Sequence, residues 1–410
     1  MSDIAPGGVP DAPLLDVPVN WRDGVSVDTE FRTEVITSEA GVEQRRAMRA
    51  TPRKTIEATI DLQGRRAADL IHATAGRFAY NWYMEDPVRR VRLNAPLTTG
   101  SDRVTLEFVP AWVQIDAVVI LRNPENLAYT YRRVKLVLDN EVQFYQTGTS
   151  VWPTGTILSS ALFGVYQDGD FTRQAAHHAR QRLRFAVRPA FERTQLLRTP
   201  ETIYPRYNNR EIFFQKPNWA SPPTISVQQD VEDQDLGWGQ YQREIPQPFT
   251  RRTMRYEFYE KTASDVEQMS GFFERHLGRR GSFYLPHWGR EFYPIDIRNY
   301  PAGSTKIQVD GTAIADYLHD DHVHRHILIE TQDGQIVPYG VVNASRNTGF
   351  TTELTLDKDV TDFVRHTWKG IYWLTLARFA SDNLTVSWRT DQVAVFAVEI
   401  QALPDFVRNL

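Results

Sequence analysis

Hydrophobic and polar residues alternate through much of this chain, and the same succession of elements breaks the alternation twice, far apart. Thr55 to Leu62 places Ile56, Ala58, Ile60 and Leu62 on one face, the period-two pattern of a half-buried strand. Residues 65–75 shift to helical spacing, with Ala68, Leu70, Ile71 and Ala75 near one side. Downstream, Gly271 to Tyr293 reads as the end of an amphipathic helix, a Gly-rich turn and an aromatic strand broken by Pro286. Both helices run into Gly and Arg (Gly76-Arg77; Gly278-Arg279). Aromatics follow in each case: Phe78, Tyr80 and Trp82 upstream, Phe283, Tyr284 and Trp288 downstream. A recurring element points to a duplicated building block rather than to one active site.

Val88–Leu93, Arg103–Val109, Val113–Leu121, Ala128–Leu138 and Glu141–Gln146 also alternate. Turn signals at Thr99-Gly100-Ser101, Asn123-Pro124-Glu125-Asn126 and Asp139-Asn140 separate them. A strand about every ten residues predicts a small antiparallel sandwich or barrel. Residues 171–182 read as a short helix, Arg182–Val187 as a closing strand, and Pro189 to Pro205 as a connector. In the second half Thr305–Val309, Arg325–Glu330, Ile336–Val342, Glu353–Leu356, Tyr372–Phe379, Leu384–Trp388 and Val393–Ala402 read as strands.

Trp21 and Trp219 stand 198 positions apart (219 − 21). At that offset Asn20 meets Asn218, Glu34 meets Glu232, Gly41 meets Gly239, Gln44-Arg45 meets Gln242-Arg243, Arg53 meets Arg251 and Thr55 meets Thr253. Lys54 and Arg252 agree in charge, and Ile56, Ala58 and Ile60 fall on Met254, Tyr256 and Phe258, which keeps the strand phase. Unrelated sequences match at roughly 5–7% of positions, two or three in such a window. Eight ungapped identities favour tandem duplication.

The predicted fold is therefore α+β and β-rich, a tandem repeat of an α+β module followed by a small antiparallel β-sandwich or barrel module. The boundaries read as an extended Pro/Gly arm at 1–19, an α+β module at 20–94, a β module at 95–195, a connector at 196–211, a second α+β module at 212–300 and a second β module at 301–410. The arm is expected to lie loose unless a neighbour holds it.

The 410 residues leave ample length for real cores. A net charge of −4, from 47 basic and 51 acidic residues, argues against a dedicated nucleic-acid binder. Cysteine is absent, which excludes disulfides, cysteine-ligated zinc, Fe–S clusters and a thiol nucleophile. The first twenty residues carry no secretory pattern, and no apolar run approaches a membrane span, so assembly in a cytoplasm is expected. Aromatic content of 12% favours sheets and extensive interfaces.

Three constellations stand out. The pattern at Gly41, Gln44, Arg45 and Arg53 recurs at Gly239, Gln242, Arg243 and Arg251. Its arginines either clamp carboxylates of a neighbouring subunit or fix a hairpin within their own domain. The aromatic elements ending at Trp82 and Trp288 either anchor subunit contacts or pack the helix on the sheet. His322, His324 and His326 would share one face of a strand, with Asp320 or Asp321 nearby, as in a zinc or iron site. The competing reading there is a polar hairpin on a solvated face. His177-His178, in the expected helix, read as surface. Nucleophile-elbow, zincin, phosphate-loop, dinucleotide and EF-hand signatures are missing, so no cofactor and no enzymatic activity are expected.

The second copy reads Gly239, Arg243, Arg251, Arg252, Phe272, Phe273, Gly278, Gly281, Phe283, Pro286 and Trp288. The first reads more loosely Gly41, Arg45, Arg53, Lys54, Gly76, Phe78 and Trp82, without the proline. These residues resemble the distal-tail (tail-tip ring) and minor tail proteins of long-tailed bacteriophages and gene transfer agents, over about 20–94 and 212–300. The resemblance implies a structural protein of the virion tail tip, assembled in the host cytoplasm. It would form a ring that joins the tail tube to the hub and fibres, its strands joining across subunits. The partners implied are the tail tube protein, the hub or central fibre protein and the tape measure protein. Two modules per chain would let a homotrimer build a pseudo-sixfold ring; a homohexamer in two tiers is the other arrangement. The rival classes are a receptor- or carbohydrate-binding tail component and a metal-dependent hydrolase built on the histidines.

Overall fold

The structure, a computed structural model, describes residues 14–15, 19–38, 42–63, 82–110, 112–167, 172–177, 180–191, 204–229, 231–235, 237–239, 241–245, 249–289, 291–292, 303–318, 323–347, 349–360 and 368–405. It is a β-rich α+β protein made mostly of antiparallel ladders, with few helices among the described residues.

The first half runs through β1 (Leu14–Leu15), β2 (Val25–Glu30), β3 (Thr33–Thr37), β4 (Glu43–Ala47), β5 (Arg53–Gln63), β6 (Trp82–Arg92), β7 (Arg103–Thr105), β8 (Val118–Arg122), β9 (Tyr129–Val137), β10 (Glu141–Phe144), β11 (Ile157–Gln167), β12 (Thr172–His177) and β13 (Arg180–Phe191). The second half holds β14 (Arg206–Tyr207), β15 (Arg210–Glu211), β16 (Thr224–Gln228), β17 (Glu232–Asp235), β18 (Tyr241–Glu244), β19 (Arg251–Glu260), helix α1 (Ala263–Arg275) and β20 (Phe283–Pro286). It continues with β21 (Lys306–Asp310), helix α2 (Ala313–Tyr317), β22 (His326–Thr331), β23 (Ile336–Asn347), β24 (Thr351–Leu356), β25 (Trp368–Phe379), β26 (Asn383–Trp388) and β27 (Ala394–Ala402).

Most ladders of the first half have a counterpart in the second. The pairings β2–β5, β3–β4, β5–β13, β12–β13, β11–β13 and β6–β11 correspond to β16–β19, β17–β18, β19–β27, β26–β27, β25–β27 and β20–β25. Likewise β8–β11, β8–β9, β9–β10 and β7–β10 correspond to β22–β25, β22–β23, β23–β24 and β21–β24. The register agrees too. Val27 opposes Ile56, and the residues 198 further on, Ile225 and Met254, oppose each other. Glu34 opposes Arg46, and Glu232 opposes Glu244. The turn before each set is built alike. Asn20 N donates to Thr59 O at 2.8 Å, and Arg22 N to Asn20 Oδ1 at 3.0 Å. Asn218 N donates to Glu257 O at 2.7 Å, and Ala220 N to Asn218 Oδ1 at 3.1 Å.

One core is shared by both halves. It joins Val25, Phe31, Ile56, Ala58 and Met84 to Phe213, Met254, Phe272, Phe283, Phe379 and Phe396. A second core, Leu93 to Leu158, lies under β7–β10; a third, Phe292 to Trp373, lies under β21–β24. These cores redraw the expected boundaries. The β modules expected at 95–195 and 301–410 are not separate in pairing. Strands β11 and β13 return to β6 and β5, and β25 and β27 return to β20 and β19. The small β units are thus insertions into a main sheet.

Helix α1 starts where Thr262, in extended conformation, accepts from Asp265 N with its hydroxyl. That satisfies one orphan donor of the first turn. The buried stripe Val266, Met269, Phe272 and Phe273 faces the shared core. The helix ends where Leu277 and Gly278 turn left-handed, at φ 52° and 62°. A Cβ on Gly278 would sit 2.6 Å from Asp382 Oδ1, so only glycine fits.

The expected strands are found at their places with shifted ends, Thr55–Leu62 within β5 for example. The expected helix at 171–182 is instead the antiparallel pair β12–β13, and His177 ends a strand. The helix expected at 65–75 and the aromatics Phe78 and Tyr80 lie outside the described residues. Of the arm, Leu14–Leu15 pairs in parallel with Tyr83–Met84 of the same chain. Strands β2, β11 and β16 were not expected from the sequence; the hairpins β3–β4 and β17–β18 correspond to the second reading of the arginine motif, a hairpin within its own domain.

His276, at the end of α1, is 9% exposed among Phe272, Phe283 and Phe379. Its Nδ1 lies 2.8 Å from Phe272 O, which fixes the proton on that nitrogen. Burial pushes this imidazole down to about 4 from its usual 6.5. The unfolded chain therefore binds a proton, between pH 6.5 and 4, that the folded chain refuses. The contribution of this imidazole is constant above the window and is lost through it as pH drops, by at most about 3 kcal/mol. Calorimetry at pH 7, 6, 5 and 4.5 should show a falling Tm, and His276→Phe should flatten that slope.

Candidate assembly surface

The edge strand of the first half is where the two halves meet. Its sequence VSVDTE alternates, and the inward positions Val25 and Thr29 are 2% and 4% exposed. One side of β2 pairs with β5 of its own half. The other pairs with β26 of the second half, Val25 opposite Trp388, Val27 opposite Val386 and Thr29 opposite Leu384. Those three partners are buried, so the ladder closes an apolar seam as well as a backbone edge.

The following hairpin, β3–β4, docks on the second half through two polar ties. Asp382 accepts from Thr33 N at 2.7 Å, Thr33 Oγ1 at 2.9 Å and Arg279 N at 2.9 Å, while Arg279 Nη2 donates to Thr33 O at 2.9 Å. Arg378 grips Glu43 with both arms of its fork, Nε to Oε2 and Nη2 to Oε1, each at 2.7 Å. Burial alone would raise the Glu43 carboxyl, but Arg378, with Arg45 and Arg251, outweighs it and holds that carboxyl below its ordinary range. A further ion pair, Lys54 to Glu274 at 3.0 Å, crosses the same junction with both side chains about nine-tenths buried.

The second half carries the same strand and hairpin without such cover. Among the described residues β16 has one strand neighbour, β19, and every position of β16 and β17 is exposed. Ile225 and Val227 are each 55% exposed, Val231 40% and Trp219 54%. The residues 198 positions earlier are Val27, Thr29, Thr33 and Trp21, all wholly or partly buried. Trp238, between β17 and β18, is 91% exposed.

The residues singled out from the sequence fall into this frame. Gln44 and Arg45 lie on β4; Arg45 is 3.8 Å from Glu43. Arg53 opens β5 opposite Glu30. Gln242 and Arg243 lie on exposed β18, where Arg243 clamps Asp233 with bonds of 2.8 and 3.0 Å within one hairpin. Arg251 opens β19. Trp82 opens β6 opposite Val165. Trp288, at φ 56°, is 7% exposed and packs on Tyr372 under Lys216 Nζ, so this aromatic element fills its own chain's interior. The groups that fix the docked hairpin, Thr33, Glu43, Arg378 and Asp382, were missed; their partners lie hundreds of positions away, where no local spacing can show them.

His324 and His326 have different partners. His326 opens β22 and joins Tyr207 Oη at 3.1 Å and Asp405 Oδ2 at 2.9 Å. His324 precedes the strand, with Arg252 Nη1 2.9 Å from its Nε2 and the His287 ring 5.3 Å away. Among the described residues no group of three or more potential ligands converges on a metal position, and His322 lies outside them. No described helix is long and apolar enough to cross a membrane.

In comparisons with known proteins, no family model and no curated protein matches the chain.

Replacing Arg378 by Leu strands the Glu43 carboxylate at a buried site. The expected loss is about 3 kcal/mol of stability. Amide exchange should accelerate most over 33–47; uniform acceleration across the chain would remove the local account. The Glu43 tie is present above the ordinary carboxylate pKa and is lost as pH falls through its depressed folded value.

Proposed function

We propose that this chain is a structural tail-tip protein of a long-tailed bacteriophage or gene transfer agent. It is a tandem duplication of one ring-forming unit, and copies of it close a ring that joins the tail tube to the hub and fibres. The observation that carries this reading is the β2–β26 ladder: one half adds its edge strand to the sheet of the other, in a chain whose halves share their ladders and registers. The resemblance of Gly239, Arg243, Arg251, Phe272, Phe273, Gly278, Gly281, Phe283, Pro286 and Trp288 to distal-tail proteins supplies the setting.

On this reading the role is scaffolding rather than catalysis. Affinity comes from repeated strand addition and apolar seams, and closure of the ring removes the free edges that invite uncontrolled association. Three copies supply six units, enough to match a sixfold tube above and a threefold hub below.

Mass measurement of the purified assembly, with averaged electron micrographs, tests this. A trimer with a pseudo-sixfold outline around an open lumen is expected. A hexamer would keep the ring and change its stoichiometry. A stable monomer at tens of micromolar would overturn the reading.

A further inference from the structure

We infer that the edge strand β16 of one copy adds antiparallel to β12 of a second copy, in the register Thr224 opposite Gln174, Ile225 opposite Arg173 and Ser226 opposite Thr172. The hairpin β17–β18 follows onto the same neighbour. This rests on the reading of the two halves as copies of one unit, and it names the surfaces that meet.

The register comes from strand pairings alone. Strand β2 sits between β5 and β26, and β26 pairs with β27. The counterpart of β2 and β5 is β16 and β19, 198 positions on. The counterpart of β26 and β27 is β12 and β13, matched through shared partners: Leu183 of β13 opposes Ile60, and Phe396 of β27 opposes Phe258, the residue 198 beyond Ile60. Leu183 opposes Arg173 while Phe396 opposes Val386, so Arg173 takes the place of Val386, and Gln174 that of Ser387. The in-chain pairs Val27–Val386 and Ser26–Ser387 then translate to Ile225–Arg173 and Thr224–Gln174.

Neither edge has a second strand partner among the described residues: β16 pairs with β19 alone and β12 with β13 alone. Within one chain, among the described residues, β2 meets β26 but β16 does not meet β12. A twofold relation between the halves would have made both ladders at once. The step from half to half is therefore head-to-tail and continues into another molecule. The apolar surface agrees: Ile225, Val227 and Val231 stand exposed where Val27, Thr29 and Thr33 are covered. An exposed row of such residues on an unpaired edge is the surface that strand addition buries.

The absence of cysteine makes the test clean. The variant Thr224→Cys with Gln174→Cys is oxidised in the full-length chain and compared with its in-chain counterpart, Ser26→Cys with Ser387→Cys. The counterpart has the same place in its ladder, so it reports whether that geometry accepts a disulfide. Adjacent pairs alternate in hydrogen-bonding class, and Ile225→Cys with Arg173→Cys, set against Val27→Cys with Val386→Cys, covers the other class. The expected result is covalent oligomers that end at one closed size, while the in-chain variants keep monomer mass. A pair shifted by two, Ser226→Cys with Gln174→Cys, should cross-link at least about tenfold less, because the partner lies about 7 Å further along the strand. If a ring assembles and the in-chain disulfide forms while neither intermolecular pair links, this ladder is wrong and the ring reading stands. If the links form but run to open-ended chains, the ladder stands and the ring reading falls. A monomer that forms only the in-chain disulfide overturns both.

Discussion

The unpaired edge of a β-sheet is the constraint on which this structure turns. Each residue along such an edge presents donors and acceptors that must find a partner or face water. The first half meets the demand within the chain, because β26 lies along β2 and brings Leu384, Val386 and Trp388 over Val25, Val27 and Thr29. The hairpin that follows is then in reach of Arg378 and Asp382, whose bonds to Glu43 and Thr33 fix its angle. Lys54 and Glu274 close the same junction behind it. The ladder brings these groups together out of water, where breaking one pair leaves a buried charge without its partner.

The main sheet can carry these demands because its aromatic core belongs to neither half alone. Phe31 meets Phe273 at 5.9 Å between ring centres, and Phe272, Phe283 and Phe379 pack around His276. The inserted units under β7–β10 and β21–β24 keep their own cores and touch the main sheet through β8–β11 and β22–β25. They can therefore vary in length and composition without disturbing the junction.

The sequence revealed the strands that bury one face. Ile56 and Ala58 on β5 and Met254, Tyr256 and Phe258 on β19 keep strict alternation because one side faces the core. It hid strands whose surroundings differ. The run ILSSALFGVYQ of β11 is flanked by β6, β8 and β13, and its small and apolar residues carry no period. TRQAAH of β12 has helix-favouring residues, and pairing with β13 overrides that preference. The arginines at 45 and 243 were visible because the motif repeats. Their surroundings were not: Arg45 lies in a docked hairpin and Arg243 in an exposed one. The spacing of the histidines suits a strand, and the strand begins at His326, with His322 outside the described residues. The partners of His326, Tyr207 and Asp405, come from distant segments.

If the halves are copies of one unit and β16 pairs with a second molecule as proposed, the two junctions solve different problems. The in-chain junction forms once, at high effective concentration, between parts that never separate. It can afford buried ions such as Arg378 with Glu43, whose desolvation costs nearly as much as their attraction returns. A junction between molecules must draw soluble copies together from dilution, and needs net apolar burial to offset the lost freedom of a whole molecule. On the strand and just after it two positions run in that direction, Thr29 and Thr33 on the covered side corresponding to Val227 and Val231 on the open one, while Phe31, Val35 and Ile36 give way to Gln229, Asp233 and Gln234. The hairpin keeps solubility meanwhile, since Arg243 and Asp233 satisfy each other inside β17–β18. On this reading Ile225 and Val227 on the strand are the apolar positions left for the neighbour.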